Sequence, residues 1–278
     1  MILWLASYPK SGNTYLRSFL STYFFSKDDC YSFDLLKNIG QYPKTSVFSR
    51  LGINIKDRHE VAKSHLKVQK KINDSKTLKF LKTHSSFVKM DGYSFTDLDN
   101  TLGVIYVVRD PRNVVSSFAN HNSKTINDTT KLLMNELATG NEKDDVEVYM
   151  GSWAFNFNSW KTYKASNKYF LVKYEDLLND TKKIFIEVLK FISSVSGSAL
   201  KIDDKKLEKV IETTDFNYLK NMENKYGFNE AKINDNTGKK VNFFNLGPNN
   251  KWQILLNNEI REKIEVNFKN EMKELGYI

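Results

Sequence analysis

One cysteine, Cys30, occurs in the 278 residues, so no internal disulfide and no cysteine-based metal cage can form; this suits a reducing cytoplasm. No apolar run approaches the roughly 18 residues of a membrane-spanning helix, and the mean hydropathy of -0.51 agrees. A secretory signal is missing too, because Lys10 and Ser11 interrupt the N-terminal apolar stretch after a few residues. The histidines, His59, His65, His84 and His121, include no pair at the i, i+4 spacing of a helical zinc site, and no HExxH pattern occurs. No metal is therefore expected. Internal repeats and tails of one charge are absent as well.

What is present is enough apolar material for a sizeable core, 40% of residues with 13% aromatic, in a length ordinary for one α/β domain; residues 1–278 are read as that single domain. The net charge of +9 is compatible with nucleic acid, an anionic surface or an anionic small molecule. The basic residues are dispersed, and Lys and Asn are both abundant, so the charge is set aside as a nucleic-acid signal. Short apolar segments, each ending at polar residues, predict buried parallel strands over 2–6, 78–81, 102–108 and 169–172. Helical periodicity follows at 14–25, 111–119 and 176–192, with further helices at 58–71, 148–164, 205–212 and 259–275. This βαβ rhythm predicts an α/β fold, a mostly parallel sheet with helices on both faces. The stretches 30–75 and 224–250 read as mobile, site-covering parts.

The first strand runs straight into YPKSGNTY, Tyr8 to Tyr15. In an open α/β sheet ligands sit beyond the carboxyl ends of the strands, where a starting helix offers free N–H groups to an anion. Gly12 allows close backbone approach, Ser11 and Thr14 supply hydroxyls, and Lys10 adds a charge, which is the chemistry of a phosphate cradle. It is P-loop-like without being a GxxxxGK[ST] loop, since the lysine precedes the glycine; the plainer alternative is an ordinary strand-to-helix turn. In FLKTHSSF, His84 closes a strand and can take a proton from a hydroxyl, while Lys82 shares its side of the extended chain and can stabilise developing charge. Arg109 closes another strand and Ser117 follows eight positions later, two turns into a helix; a guanidinium fork and a hydroxyl suit a phosphate. The alternatives are a satisfied strand-end histidine and an Arg109–Asp110 capping cluster.

Taken together these motifs resemble the sulfotransferases that use 3′-phosphoadenosine 5′-phosphosulfate (PAPS), in the order found in that family and from residue 3 to about residue 252. YPKSGNTY is similar to the family's YPKSGTTW, with Asn13 for a threonine and Tyr15 for the tryptophan that stacks on adenine. The resemblance implies that Lys10, Ser11, Gly12, Asn13 and Thr14 hold the 5′-phosphosulfate, that His84 is the general base, and that Lys10 and Lys82 stabilise charge near the transferred group. It further implies that Arg109 and Ser117 grip the 3′-phosphate and that Tyr174, of the YED segment, approaches the base. Thr214 and Phe216 resemble another nucleotide-side segment. FFNLGPNNKW, 243–252, resembles the family's FxRKGxxGDW, so Gly247 and Trp252 align while Asn245 and Leu246 stand in place of Arg and Lys. Each lost charge-assisted contact is worth roughly 1.5–3 kcal/mol, so affinity is expected to fall at least about tenfold unless Lys239, Lys240 or Lys251 compensates.

The expected activity is transfer of a sulfonate from PAPS, leaving adenosine 3′,5′-bisphosphate (PAP), to a hydroxyl, less readily an amine, of a small-molecule acceptor, without a metal. The absence of a leading segment resembles a bacterial branch of the family. Alternatives are an ATP-dependent small-molecule kinase, which would need magnesium ligands, and a non-catalytic module binding nucleotides or polyanions. The loops 30–75 and 122–147, which would shape the acceptor pocket, leave the acceptor open among lipids, sugars and phenols. Oligomeric state is equally open.

Overall fold

The computed structural model describes residues 1–140, 145–234 and 237–278. Its central sheet has five strands, β1 (Ile2–Ser7), β2 (Gly40–Gln41), β3 (Lys79–Thr83), β4 (Thr101–Val108) and β5 (Tyr169–Lys173). They lie all parallel in the order β2-β3-β1-β4-β5. The α-helices of six or more residues are α1 (Asn13–Phe25), α2 (Arg58–Asn73), α3 (Pro111–Asn122), α4 (Ile126–Met134), α5 (Trp153–Lys161), α6 (Tyr174–Asn179), α7 (Thr181–Ser196), α8 (Asp204–Thr214), α9 (Phe216–Tyr226), α10 (Asn258–Asn267) and α11 (Lys269–Glu274) among the described residues.

Every residue of β1 is buried, and its alternating side chains enter two cores. Ile2, Trp4 and Ala6 pack with Val114, Val115 and Phe118 of α3, Trp153, Phe157 and Trp160 of α5, and Ile260 and Ile264 of α10. Leu3 and Leu5 pack on the other face with Leu16, Phe19 and Leu20 of α1, Phe185, Val188, Leu189 and Ile192 of α7, and Leu207 and Val210 of α8. The buried Trp4 donates through Nε1 to Thr101 Oγ1 at 3.0 Å, so even this large apolar side chain has its polar atom satisfied. Among the described residues no helix is long and apolar enough to cross a membrane.

Several expected boundaries shift for local reasons. The helix read over 148–164 begins only at Trp153: Ser152 caps it, its Oγ accepting from Phe155 N–H, and Val148–Tyr149 pairs antiparallel with Thr139–Gly140. The helix read over 176–192 is two, because Asp180 leaves helical geometry and its carboxylate accepts from Lys183 N–H to start α7. The helix read over 259–275 divides at Phe268. Of the labelled elements, three had no sequence expectation: β2, whose two residues are too few for periodicity, α4, and α9, which Asp215 caps by accepting from Asn217 N–H. Of the stretches read as covering parts, 30–75 holds β2 and α2, and 224–250 holds an isolated bridge between Ile233 and Lys240 and a 3-10 turn at Gly247–Asn249. Residues 141–144, within the stretch 122–147, and 235–236, within 224–250, lie outside the described residues.

Candidate active site

The strand register brings the site residues together. Leu5 of β1 is level with Lys82 of β3, Ala6 with Thr83, and Ser7 with Val107 of β4. The residues that leave these strand ends, the 8–13 turn, His84 and Arg109, therefore emerge side by side at the carboxyl edge, where such sheets bind ligands. A cavity of about 850 Å³ opens there. Of the residues singled out in the sequence, Lys10, Gly12, Asn13, Thr14, Tyr15, Lys82, His84, Arg109, Ser117, Tyr174, Phe216 and Gly247 line it. Ser11 and Thr214 are fully buried and do not. The Thr214 hydroxyl donates back to Val210 C=O at 2.7 Å within its own helix.

Lys10 and Gly12 both take positive φ, 64° and 103°, which folds the turn back so that α1 starts at Asn13 pointing its N-terminus at the cavity. Gly12 is required twice over, since a Cβ there would stand 2.5 Å from Cδ2 of the Tyr174 ring. Asn13 turns inward: its Nδ2 donates to Leu5 C=O at 2.9 Å and to Ser7 Oγ at 3.2 Å, tying the helix start to β1. Buried Ser11 Oγ has no hydrogen-bond partner, and neither does Arg109 Nε. Such orphaned donors, beside a close-approach glycine, fit a cradle for phosphate groups.

His84 is held by its Nδ1, which donates to Ser7 C=O at 2.8 Å and lies 3.2 Å from Ser7 Oγ. A carbonyl accepts only, so Nδ1 carries the proton and Nε2 is the ring's acceptor. Burial and the nearby Lys82 push the imidazole pKa well below its ordinary value, so the ring is neutral. Lys82 Nζ donates to Gln41 Oε1 at 3.3 Å. Lys10 Nζ stands 3.5 Å from the Phe243 ring centroid. Burial, then Lys82 and Arg109, lower its pKa to about 7 against the opposing pull of Glu230 and Glu223.

Arg109 spans the nucleotide side. Its Nη1 and Nη2 reach Lys10 C=O and Gly247 C=O, each at 3.4 Å, and its guanidinium stacks 4.4 Å from the Tyr174 ring centroid. These long contacts leave the fork free to bind an anion more tightly. Gly247 abuts Phe216, whose ring a Cβ would meet at 2.3 Å. Trp252 N–H donates to Asn113 Oδ1 at 3.0 Å and its ring carries the Arg112 guanidinium at 4.0 Å, so the C-terminal motif docks on α3. Lys239, Lys240 and Lys251 are all exposed and none lines the cavity; Lys124 and Lys232 do.

Three features of the site had no signal in the sequence. Glu223 accepts from the N–H groups of Phe243 and Phe244, both at 2.8 Å, and so fixes the segment that lies over Lys10. Glu230 reaches Arg17, Thr14 and Lys82 from a loop more than 140 residues away in sequence. His121 lines the cavity edge-on to Phe243 at 5.6 Å, its Nδ1 buried without a partner; burial and the ammonium groups of Lys10, Lys232 and Lys82 hold it neutral. Only pairing across the fold identifies the two glutamates, because charged residues of their type occur throughout the chain.

A parallel sheet whose carboxyl edge gathers a helix-terminal turn, an arginine, two lysines and a neutral histidine is arranged to receive an anionic ligand. The chain matches the family model for the sulfotransferase domain over residues 2–276 and belongs to that family. Guinea pig (Cavia porcellus) 3-beta-hydroxysteroid sulfotransferase is 26% identical over 154 residues, 54% of this chain and 49% of that protein. Cattle (Bos taurus) sulfotransferase 1E1 is 23% identical over 280 residues, 97% of this chain and 82% of that one. The chain thus spans about half of the first relative and four fifths of the second. The fold is shared with mouse sulfotransferase SULT7A1 complexed with PAP, at a TM-score of 0.57 and 17% identity over 98% of this chain and 84% of that one. It is also shared with retinol dehydratase complexed with retinol and PAP, at a TM-score of 0.62 and 15% identity over 98% and 81%.

Gly12→Ala tests the turn. The added methyl must displace Tyr174 and adopt a positive φ, so stability in chemical denaturation should fall by about 1–3 kcal/mol; a loss below about 0.5 kcal/mol would show that the turn relaxes freely.

Proposed function

We propose that this chain, acting as one domain over residues 1–278, moves a sulfonate from PAPS to the hydroxyl, less readily the amine, of a small-molecule acceptor. Family membership supports PAPS as donor, and the observation that carries the chemistry is His84: a neutral imidazole whose Nδ1 is committed to Ser7 C=O, leaving Nε2 as proton acceptor in the cavity wall beside Lys82. Retinol and androsterone bound with PAP in the neighbouring structures support a small-molecule acceptor. The single cysteine suits a cytoplasmic setting.

PAPS supplies an activated sulfonate with a phosphate as its leaving group. Around it, Ser11, Gly12 and Thr14 and the first turn of α1 hold the 5′-phosphosulfate, with Asn13 bracing the turn. Arg109 and Ser117 grip the 3′-phosphate, and Tyr15, Tyr174, Phe216 and Gly247 form the nucleotide side, with Thr214 buried behind it. Lys10 and Lys82 stabilise the charge that builds in transfer, and His84 Nε2 takes the acceptor's proton. Most of the catalysis is positioning, as in phosphoryl transfer.

His84→Ala is expected to lower sulfonation of whichever member of a phenol, alcohol and amine panel the wild type uses by about 100-fold or more. PAP affinity in calorimetry should stay nearly unchanged, and equal loss of both would remove His84 from the role of base. Lys10 sets a second expectation. With its pKa lowered to about 7, it is largely protonated below that pH, and above it the neutral amine must take up a proton when an anion binds. PAP affinity should therefore fall by up to about tenfold per pH unit above 7, and Lys10→Arg should flatten that decline; the same slope in the variant would assign it elsewhere.

A further inference from the structure

Glu230 places a carboxylate among the groups that the proposed donor needs. Its Oε1 accepts from Arg17 Nη1 at 2.6 Å, its Oε2 is 3.5 Å from Thr14 Oγ1, and Lys82 Nζ stands 3.8 Å from Oε2. Thr14 and Arg17 are three residues apart on α1 and so share one face, which lets a single carboxylate meet both. Arg17 is 4% exposed and spends Nη2 on Ile39 C=O at 3.1 Å, so its position is fixed. The Glu230 side chain keeps 29% of its surface, on the cavity wall, and can move outward. Its segment is anchored two residues earlier by Phe228, which packs on Phe33, Phe243 and Phe244. The backbone therefore stays beside the site whichever way the carboxylate points.

An Arg17–Glu230 pair alone would be a structural staple. The contacts to Thr14 and Lys82 go further, because a hydroxyl and an ammonium proposed for the donor's phosphosulfate end already face an anion belonging to the protein. Two anions cannot share these groups without repulsion, and the repulsion is strong where burial lowers screening.

We infer that Glu230 is an internal competitor for the donor's 5′ anionic group, its carboxylate yielding Thr14 and Lys82 whenever a donor or product nucleotide binds and returning to them as it leaves. The inference rests on the donor-site assignment above and adds a residue that sets nucleotide affinity and favours product release.

The test is calorimetric titration of PAP, AMP and adenosine 3′-monophosphate into wild type, Glu230→Gln and Glu230→Asp, with thermal melting to verify folding. Glu230→Gln keeps the shape and removes the charge. It should bind PAP and AMP about tenfold more tightly, the size expected for removing one like charge from a partly buried site. Adenosine 3′-monophosphate should gain nothing, and Glu230→Asp should bind PAP within about threefold of wild type. Should Glu230→Gln melt early, Glu230→Ser is read in the same way. Unchanged or weaker PAP binding by the neutral variants would make Glu230 a strut and overturn the inference, and an equal gain for all three nucleotides would overturn the 5′ location. If no variant and no wild type binds PAP, the donor assignment itself fails, and the inference with it.

Discussion

The parallel register of β1 between β3 and β4 is the constraint on which the rest depends. Hydrogen bonding sets Leu5 against Lys82 and Ser7 against Val107, and burial of β1 on both faces prevents any slip, since a one-residue shift would exchange the contents of the two cores. Because the three strands end together, residues from positions 10, 84 and 109 meet at one edge. The large apolar side chains of the first core, Trp4, Trp153 and Trp160 among them, thus act on the chemistry at a distance: they hold the platform from which the polar residues project.

The site concentrates positive charge and answers it in three ways. Lys10 sits over the Phe243 ring with its pKa lowered toward 7, so part of the charge is relieved by deprotonation. His84 and His121 stay neutral, which for His84 preserves an acceptor nitrogen in the cavity wall. Glu230 supplies a countercharge to Arg17 and Lys82, and its own pKa is held far below the usual carboxylate value: Lys82 and Arg17 overcome the burial that alone would raise it. A site with these properties is ready to take up an anion, and its own carboxylate sets the affinity it offers.

Much of this could be read from residue order. YPKSGNTY, FLKTHSSF and the Arg109 to Ser117 segment are local: each is a strand end plus the turn or helix that follows, so composition, spacing and chemistry coincide within about ten residues. The sheet core and the helices packed on it were legible for the same reason. Long-range electrostatic pairing was not. Glu223 is an ordinary helical glutamate until its carboxylate is seen holding two backbone N–H groups of 243–244, and Glu230 lies 213 positions from the arginine it binds. Thr214 shows the opposite case, a hydroxyl that suggested a ligand contact and is spent on its own helix. None of the three lysines expected to offset Asn245 and Leu246 from nearby in sequence reaches the cavity, because proximity along an irregular segment does not fix which way a side chain faces.

The most direct test of the central claim is a thermal-shift titration with PAP, compared with AMP and with ATP plus magnesium. A ligand that binds only the folded state raises its melting temperature by mass action. If Arg109 and Ser117 read a 3′-phosphate while the 8–14 turn holds the 5′ group, PAP must stabilise the protein at lower concentration than AMP or magnesium ATP does. Equal shifts with AMP, a preference for magnesium ATP, or no shift with PAP would contradict the account.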